Sequence, residues 1–346
     1  MGKLSRAVIH VAAGACVAFA AATARAGETD VADFYRGKSV SLIVSTTAGS
    51  SYDLMSRAIA RFIGKYIPGA PAVVVRNQPG AGGIAALNAL YHVAPRDGLT
   101  LAGVQGSVPF EPMLGTKEAD FDPSRLNWLG SPSSETCVTT VWGGSNVMSI
   151  GDARSREITM GSSGANANPS FYARLINAVL GVKLRLVFGY PGQPDVFIAM
   201  EKGEVDGHSC VFWSALSSTR PDWLRDGKVR LLLQYGPARE PALGATPFLA
   251  DLVANPDDRV LVAAAQAPLA LGRPYVMPPE TPPERVAAMR KALMAVFADA
   301  EFLAETKRLG LAVNARQTGE DMQDLIARTY ATPAPIVERL RRLSAQ

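Results

Sequence analysis

The feature that most constrains the fold of this chain is an alternation of short β-branched runs with amphipathic helical segments. VSLIVS at 40–45 predicts a buried strand, and from Tyr52 onward apolar residues recur in pairs every four residues, as on one helix face. Two further strands are predicted over 72–76 and 99–104, with a helix over 84–92 between them. Strands separated by helices at this spacing indicate parallel βαβ units.

The same order of elements recurs in the second half of the chain. Strands are predicted over 138–142, 158–160, 184–188 and 229–234, and helices over 170–180, 195–202, 283–297 and 320–330. The helix over 283–297 has an apolar stripe, and we expect this helix and the helix over 320–330 to pack onto the first half. The stripe consists of Val286, Met289, Leu293, Val296 and Phe297. A chain of 346 residues with 48% hydrophobic composition is long enough for two such α/β units.

The first 26 residues have the pattern of a secretory signal peptide. Lys3 and Arg6 precede an apolar stretch that contains no acidic residue, and the segment closes on Ala-Arg-Ala. We therefore expect cleavage near Ala26 and export to the periplasm. An uncleaved anchor and lipid attachment at Cys16, which follows a lipobox-like Ala-Gly-Ala, remain alternatives. No later stretch approaches the ~20 consecutive apolar residues that span a bilayer.

Removal of the signal nearly neutralises the chain. Lys3, Arg6 and Arg25 leave with it, so the formal net charge falls from +4 to about +1. The remaining basic residues form only isolated clusters, such as that at 339–342. We therefore expect no nucleic-acid partner.

Two cysteines remain after cleavage, Cys137 and Cys210. In an oxidising compartment they could form a long-range disulfide or stay as two buried thiols, and the sequence leaves both possibilities open. Cys210 also alternates with Asp206 and His208, which on a strand would share a face. A metal site needs further ligands from a second segment, so we expect no metal here.

Four loops at the predicted carboxyl ends of strands consist of small and polar residues. They span 45–53, 79–83, 161–168 and 189–195 and contain no Lys or Arg. A helix start offers unpaired N–H groups and a partial positive charge, so such loops can hold a carboxylate or phosphate without a cationic side chain. Side chains that add donors are Thr46, Ser50, Ser162, Ser163 and Asn166. We expect the four loops to face one cleft.

Motifs for nucleotide binding and catalysis are weaker. Gly80-x-Gly82-x-x-Ala85 fits a loose dinucleotide fingerprint, but Asn77-Gln78-Pro79 separates it from the preceding strand. We therefore expect no cofactor. GSSGA at 161–165 approaches a nucleophile elbow but lacks the final glycine. An exported α/β hydrolase that uses Ser163 and His208 remains the alternative function.

Five longer blocks carry a family resemblance over nearly the whole chain after residue 26. They are FYRGKSVSLIVSTTAGSSYDLMSRAIARFIGKYIPG, VVVRNQPGAGGIAALNALYHVAPRDGLTL, GSSGANANPSFYARLINAVLG, FGYPGQPDVFIAMEKGEVDG and PPETPPERVAAMRKAL. With them the chain resembles the periplasmic receptors of tripartite tricarboxylate transporters, the Bug or TctC family. Of the five blocks, the second, taken as a whole, is the most specific for this family. The first loop, STTAGSS, departs from the Pro- and Gly-rich sequence usual in that family.

The resemblance implies an α/β, type II periplasmic-binding-protein fold, in which a two-segment hinge joins two Rossmann-like lobes. On this chain it implies lobe 1 over 27–140, lobe 2 over 141–232, and a return to lobe 1 with C-terminal helices over 233–346. The strands at 138–142 and 229–235 would be the two that cross between the lobes.

The resemblance also implies a non-enzymatic receptor that captures a small carboxylated metabolite between its lobes and delivers it to membrane permease subunits. Backbone groups of the four loops would hold the ligand. The residues expected at the ligand are Thr46, Ser50, Tyr52, Asp53, Ala81, Gly82, Gly83, Ser162, Ser163, Asn166, Tyr190, Gln193 and Asp206. We expect a monomer; the sequence does not choose among possible acids.

Overall fold

Strands and helices alternate through most of the chain, as the sequence predicts. The computed structural model describes residues 30–165 and 167–345, so the predicted signal peptide with Cys16 and Ala26 lies outside the described residues. The strands are β1 (Ser39–Val44), β2 (Ala72–Asn77), β3 (Thr100–Gly103), β4 (Asn127–Ser131), β5 (Cys137–Trp142), β6 (Ile158–Gly161), β7 (Leu184–Val187), β8 (Gly207–Phe212), β9 (Val229–Tyr235), β10 (Tyr275–Met277) and β11 (Gln317–Thr318).

Fourteen α-helices accompany these strands in the described residues, and none of them is long and apolar enough to cross a membrane. They are α1 (residues 30–35), α2 (Ser51–Ile63), α3 (Ile84–His92), α4 (Glu111–Leu114), α5 (Asn168–Leu180), α6 (Gln193–Glu201), α7 (Trp213–Thr219), α8 (Pro221–Arg225), α9 (Leu249–Leu252), α10 (Pro256–Leu271), α11 (Pro283–Ala298), α12 (Ala300–Arg308), α13 (Gly319–Tyr330) and α14 (Ala334–Ala345).

The strands form two separate sheets. The first has the order β11–β4–β10–β3–β1–β2, with β1 parallel to both β2 and β3. β10 lies between β3 and β4 and is antiparallel to both. The parallel strands therefore direct the loops that follow them to one edge of the sheet.

The second sheet has the order β7–β6–β8–β5–β9. β6 is parallel to β7 and β8, whereas β5 is antiparallel to β8 and β9. A disulfide joins Cys137 of β5 to Cys210 of β8, with 5.0 Å between their Cα atoms. The predicted lobe boundaries at residues 140 and 232 fall inside β5 and β9, which are neighbours in this sheet.

The helix faces that the sequence predicts to be apolar are buried against the first sheet. Met55, Ile59 and Ile63 of α2 are at most 1% exposed, and they recur every four residues along one face. Full burial of such side chains contributes roughly 2 kcal/mol each. α11 packs against α2 and β4 and buries its predicted stripe. The expected packing of this C-terminal helix on the first half is confirmed.

A buried ion pair joins the two segments that pass between the sheets. Glu135 lies between β4 and β5, and Arg273 lies between α10 and β10; their charged groups are 2.6 Å apart. Arg273 also donates to the hydroxyl of Ser133 at 2.8 Å, and Ser214 of α7 donates to Glu135 at 2.9 Å. These hydrogen bonds compensate most of the burial of the two charges, although Nε of Arg273 is buried without a partner among the described residues.

The last helix, α14, contacts helices associated with both sheets. Arg341 of α14 donates to the carbonyl of Met113 in α4 at 3.1 Å. Arg174 of α5 donates to the carbonyl of Leu343 at 2.7 Å, and Leu340 is buried in a core that includes residues of α5 and α10. α14 therefore connects the two α/β units on one side of the molecule.

Gly272 is the position where the return segment approaches the first crossing most closely. Its φ is +60°, and a Cβ added there would lie 1.8 Å from the carbonyl oxygen of Ser133. We expect Gly272→Ala to lower the free energy of unfolding by at least about 3 kcal/mol, because backbone must move to admit the methyl group. Gly181→Ala is the matched control: its φ is +63° and open space surrounds it. It should cost only about 1 kcal/mol. Equal losses in urea denaturation would contradict this account.

Candidate functional site

Two adjoining cavities lie at the carboxyl ends of the parallel strands. The smaller, of about 270 Å³, belongs to the second sheet and is lined by Ser163, Asn168, Pro169, Gly192, Gln193, Val196, His208, Cys210 and Phe212. The larger, of about 650 Å³, reaches from Tyr52 and Gln105 on the first-sheet side to Phe171 on the second-sheet side. Asn168 and Phe212 line both cavities. Together they form one interlobe cleft, where open α/β sheets bind ligands.

Asp53 holds the first loop in shape. Its carboxylate accepts hydrogen bonds from the backbone N–H of Gly49 at 2.8 Å, from Arg57 at 3.0 Å and from Asn77 at 2.8 Å. Burial alone would raise the pKa of Asp53, but these hydrogen bonds outweigh it and hold that pKa below its ordinary value. The structure therefore gives Asp53 a supporting role; contact with a ligand stays a prediction.

Among the other predicted residues of the first loop, Thr46 and Ser50 hydrogen-bond within the loop, whereas Tyr52 lines the larger cavity. The hydroxyls of Thr46 and Ser50 are 2.6 Å apart, and Ser50 also caps α2 by accepting from the N–H of Asp53. Tyr52 lines the larger cavity, and the Arg273 guanidinium lies 5.6 Å from its ring centre. Burial raises the pKa of the Tyr52 hydroxyl, so it remains a donor at neutral pH.

The second loop enters α3 through a tight turn. Ala81, Gly82 and Gly83 have φ values of +46°, +65° and +104°, a run of left-handed residues that favours glycine. A Cβ on Gly83 would lie 3.1 Å from the side chains of both Gln105 and Val108. Gln105 donates to the carbonyl of Gly82 at 2.8 Å, so it couples this loop to the larger cavity, which it lines.

The two serines of the third loop differ in their exposure and in their contacts. Ser162 is fully buried and its hydroxyl lies 2.7 Å from that of Ser170, inside the start of α5. Ser163 is exposed and lines the smaller cavity. Asn166 lies outside the described residues. α5 begins without a side-chain cap. Pro169 has no N–H and the N–H of Ser170 donates to the carbonyl of Ala167, so in this first turn the N–H of Asn168 is left for solvent or a ligand.

The fourth loop brings one predicted residue to the cleft. Gln193 begins α6, which also lacks a side-chain cap, and lines the smaller cavity; Tyr190 packs against the apolar cluster around Val196. Asp206 precedes β8, roughly 20 Å from its far end at Phe212, given about 3.3 Å per residue. Its carboxylate accepts from the N–H and hydroxyl of Thr159. The structure does not bring Asp206 to either cavity.

His208 is a lining residue that was not predicted to contact the ligand. Its ring is 2% exposed at the smaller cavity, and Nδ1 accepts from the backbone N–H of Cys210 at 3.3 Å. Burial lowers the pKa of His208 to about 4, so the ring is neutral near pH 7. Because Nδ1 is the acceptor, the proton lies on Nε2. Across residues 30–165 and 167–345, no group of three or more His, Cys, Asp or Glu side chains is arranged to hold a metal.

Asp53→Ala should destabilise the protein by about 2 kcal/mol, because it leaves three donors of the first loop without their acceptor. Asp33→Ala removes an exposed carboxylate that pairs with Arg36 and should change stability by less than about 0.5 kcal/mol. Urea denaturation of both variants at pH 7 measures the difference. Similar losses for the two would show that Asp53 does not hold the loop.

The depressed pKa of His208 predicts a loss of stability in mild acid. The unfolded chain takes up a proton as pH falls below about 6.5, whereas the folded ring does so only near pH 4. This contribution is present above pH 6.5 and about 2 kcal/mol of it is lost by pH 5. His208→Gln should flatten the pH dependence of the unfolding free energy by that amount. His92→Gln, at a half-exposed histidine, controls for the loss of an imidazole; an unchanged slope in His208→Gln contradicts the assignment.

Comparison with known proteins identifies the chain's relatives. A family model described as "Tripartite tricarboxylate transporter family receptor" matches residues 56–341. A similar sequence is the "UPF0065 protein in gbd 5'region" of Cupriavidus necator, 27% identical over 231 residues, which cover 64% of this chain and 66% of that protein.

Solved structures show the same fold. A TctC solute-binding protein from Polaromonas aligns with a TM-score of 0.71 and 18% identity, covering 88% of this chain and 99% of the other. MatC from Rhodopseudomonas palustris with bound malate aligns with a TM-score of 0.60 and 18% identity, covering 89% and 99%. The expected two-lobed periplasmic-binding-protein fold is confirmed.

The family match also sets the functional class. Its members are periplasmic receptors, not enzymes, which bind small carboxylates and work with membrane transporter components. The hydrolase alternative with Ser163 and His208 is therefore wrong. The chain belongs to the family of tripartite tricarboxylate transporter receptors.

Proposed function

We propose that this chain captures a small carboxylated metabolite in the cleft between its two sheets and delivers it to the membrane subunits of a tripartite tricarboxylate-type transporter. The observation that carries the proposal is the smaller cavity. Two helices begin at its wall without side-chain caps, and its lining includes Asn168 and Gln193 but no charged side chain. Helix starts of this kind favour anions.

Capture would proceed by closure of the two lobes. A ligand that contacts Tyr52 and Gln105 on one side and Ser163 and Gln193 on the other favours the closed state, because it gains both sets of contacts only there. A similar protein, MatC, holds malate, which supports a small carboxylate as the ligand class. The periplasm, a monomeric state and the permease as partner belong to the same proposal.

The test adds one negative charge at the start of α5. Asn168→Asp places a carboxylate where helix starts favour one, so the fold should be as stable as before or slightly more so. Binding of carboxylates should weaken at least tenfold, because the new charge repels them and occupies the helix start. Asn168→Ser is the neutral control and should bind within about threefold of the wild type.

Binding is measured by isothermal titration calorimetry with a panel of mono-, di- and tricarboxylates, and closure by the radius of gyration from X-ray scattering. We expect at least one acid to bind and to reduce the radius of gyration. No binding by any acid at millimolar concentration would reject the proposal. Equal binding by Asn168→Asp and Asn168→Ser would reject this location for the carboxylate.

A further inference from the structure

The smaller cavity offers one buried donor that the fold itself does not use. Nε2 of His208 carries the ring proton and has no hydrogen-bond partner within the described part of the chain, although the side chain is 2% exposed. Nε2 is not one of the fully enclosed side-chain atoms that lack a partner, so it is open to the cavity, where a ligand or water can accept from it. His208 and the starts of α5 and α6 surround this one cavity. The arrangement fits a single carboxylate.

The larger cavity offers apolar surface instead. Its wall includes Phe110, Met113, Leu114, Phe171, Phe212 and Leu340. Its volume of about 650 Å³ lies in the range of sites that bind drug-sized ligands, well above the needs of a four-carbon acid. An apolar group that leaves water for this wall gains roughly 25 cal/mol per Å².

The charged side chains of the larger cavity already have partners in the protein. Arg174 donates to the carbonyls of Ala165 and Leu343, and Arg341 donates to that of Met113. Glu135 pairs with Arg273, and Glu111 accepts from the hydroxyl of Thr116 at 2.6 Å. The lining contains two acidic and two basic side chains, so the larger cavity offers no net positive charge to a second carboxylate.

From these observations, and resting on the receptor function above, we propose that the ligand is a monocarboxylic acid with a ring-sized apolar body. Its carboxylate accepts from Nε2 of His208 and from the backbone N–H groups of Asn168 and Gln193 at the starts of α5 and α6. Its body passes Phe212 and lies against the apolar wall of the larger cavity. His208 and Phe212 are then specificity residues at the two ends of one ligand.

The first experiment compares acids on the full-length protein by isothermal titration calorimetry. The probes are phenylacetate and 3-phenylpropionate, with malate, adipate and citrate as polycarboxylates and 3-phenylpropanol as the uncharged control. The aryl monocarboxylates should bind at least tenfold more tightly than every other probe. Tighter or equal binding of a polycarboxylate overturns this proposal but leaves the receptor function intact. Failure of every acid rejects the receptor function itself.

The second experiment tests the residues proposed at the two ends of the ligand, with 3-phenylpropionate as the probe. His208→Leu removes the donor and should weaken binding at least tenfold, whereas His208→Gln keeps an N–H donor and should recover most of the affinity. Phe212→Ala and Phe171→Leu should each weaken this acid more than they weaken acetate. Val93→Ala, at a residue 79% exposed, is the control and should bind as the wild type does.

Circular dichroism establishes that each variant is folded before titration. If His208→Leu does not fold, the affinities of His208→Gln and of the two phenylalanine variants still test whether the ligand lies between His208 and Phe212. Unchanged affinity in the folded His208 variants and in Phe212→Ala would overturn the proposal.

Discussion

The buried ion pair between Glu135 and Arg273 fixes how the two halves of this protein face each other. Each residue belongs to one of the segments that pass between the sheets, so the pair ties the crossings together at one point. Removing either partner would leave a buried charge without compensation, which is far more costly than the pair's net contribution to stability. Ser133 and Ser214 add one hydrogen bond to each charge, and the Tyr52 ring lies 5.6 Å from the guanidinium at the edge of the cleft. The ion pair between the crossings therefore lies directly beside the candidate site.

In the function we propose, the cleft recognises anions mainly with dipoles. An unpaired cation in the smaller cavity would have to be desolvated whenever the lobes close, and that cost is large. Uncapped helix starts and a neutral imidazole provide directed N–H groups without a net charge to desolvate. A receptor that must also release its ligand benefits from such moderate attraction, because tight ion pairing would slow dissociation. The supporting charges, such as Asp53, are satisfied within their own loops.

Much of the fold could be predicted because most elements carry their own pattern. The helix over 84–92 was predicted with the bounds that the structure gives to α3, and β1, β2, β6 and β7 were each placed within a residue or two. β10 was missed because three residues carry no periodicity. α10 was missed because its apolar residues surround it almost completely and Pro268 lies inside it. Local sequence does not reveal elements that are defined by long-range packing.

The candidate site was predicted less completely than the fold, for the same reason. Loop composition located Tyr52, Ser163 and Gln193, all of which line the cavities. His208 and Phe212 contribute because β8 lies beside β6 in the second sheet, a pairing that the sequence does not contain. The alternation of Asp206, His208 and Cys210 indicated a shared face, but not which end of the strand would reach the cleft.

The position of β10 has a consequence for the order in which the chain assembles. The second sheet is built from one continuous stretch, from Cys137 to Tyr235, so it can form as soon as that stretch is available. The first sheet cannot be completed then, because β3 and β4 meet only through β10, which follows more than a hundred residues after β4. Closing so long a loop is entropically costly, and until it closes two strand edges stay unpaired. The N-terminal half is synthesised first, but its sheet is completed only after the C-terminal third has been synthesised. Folding of the first sheet is therefore limited by the pairing of β10.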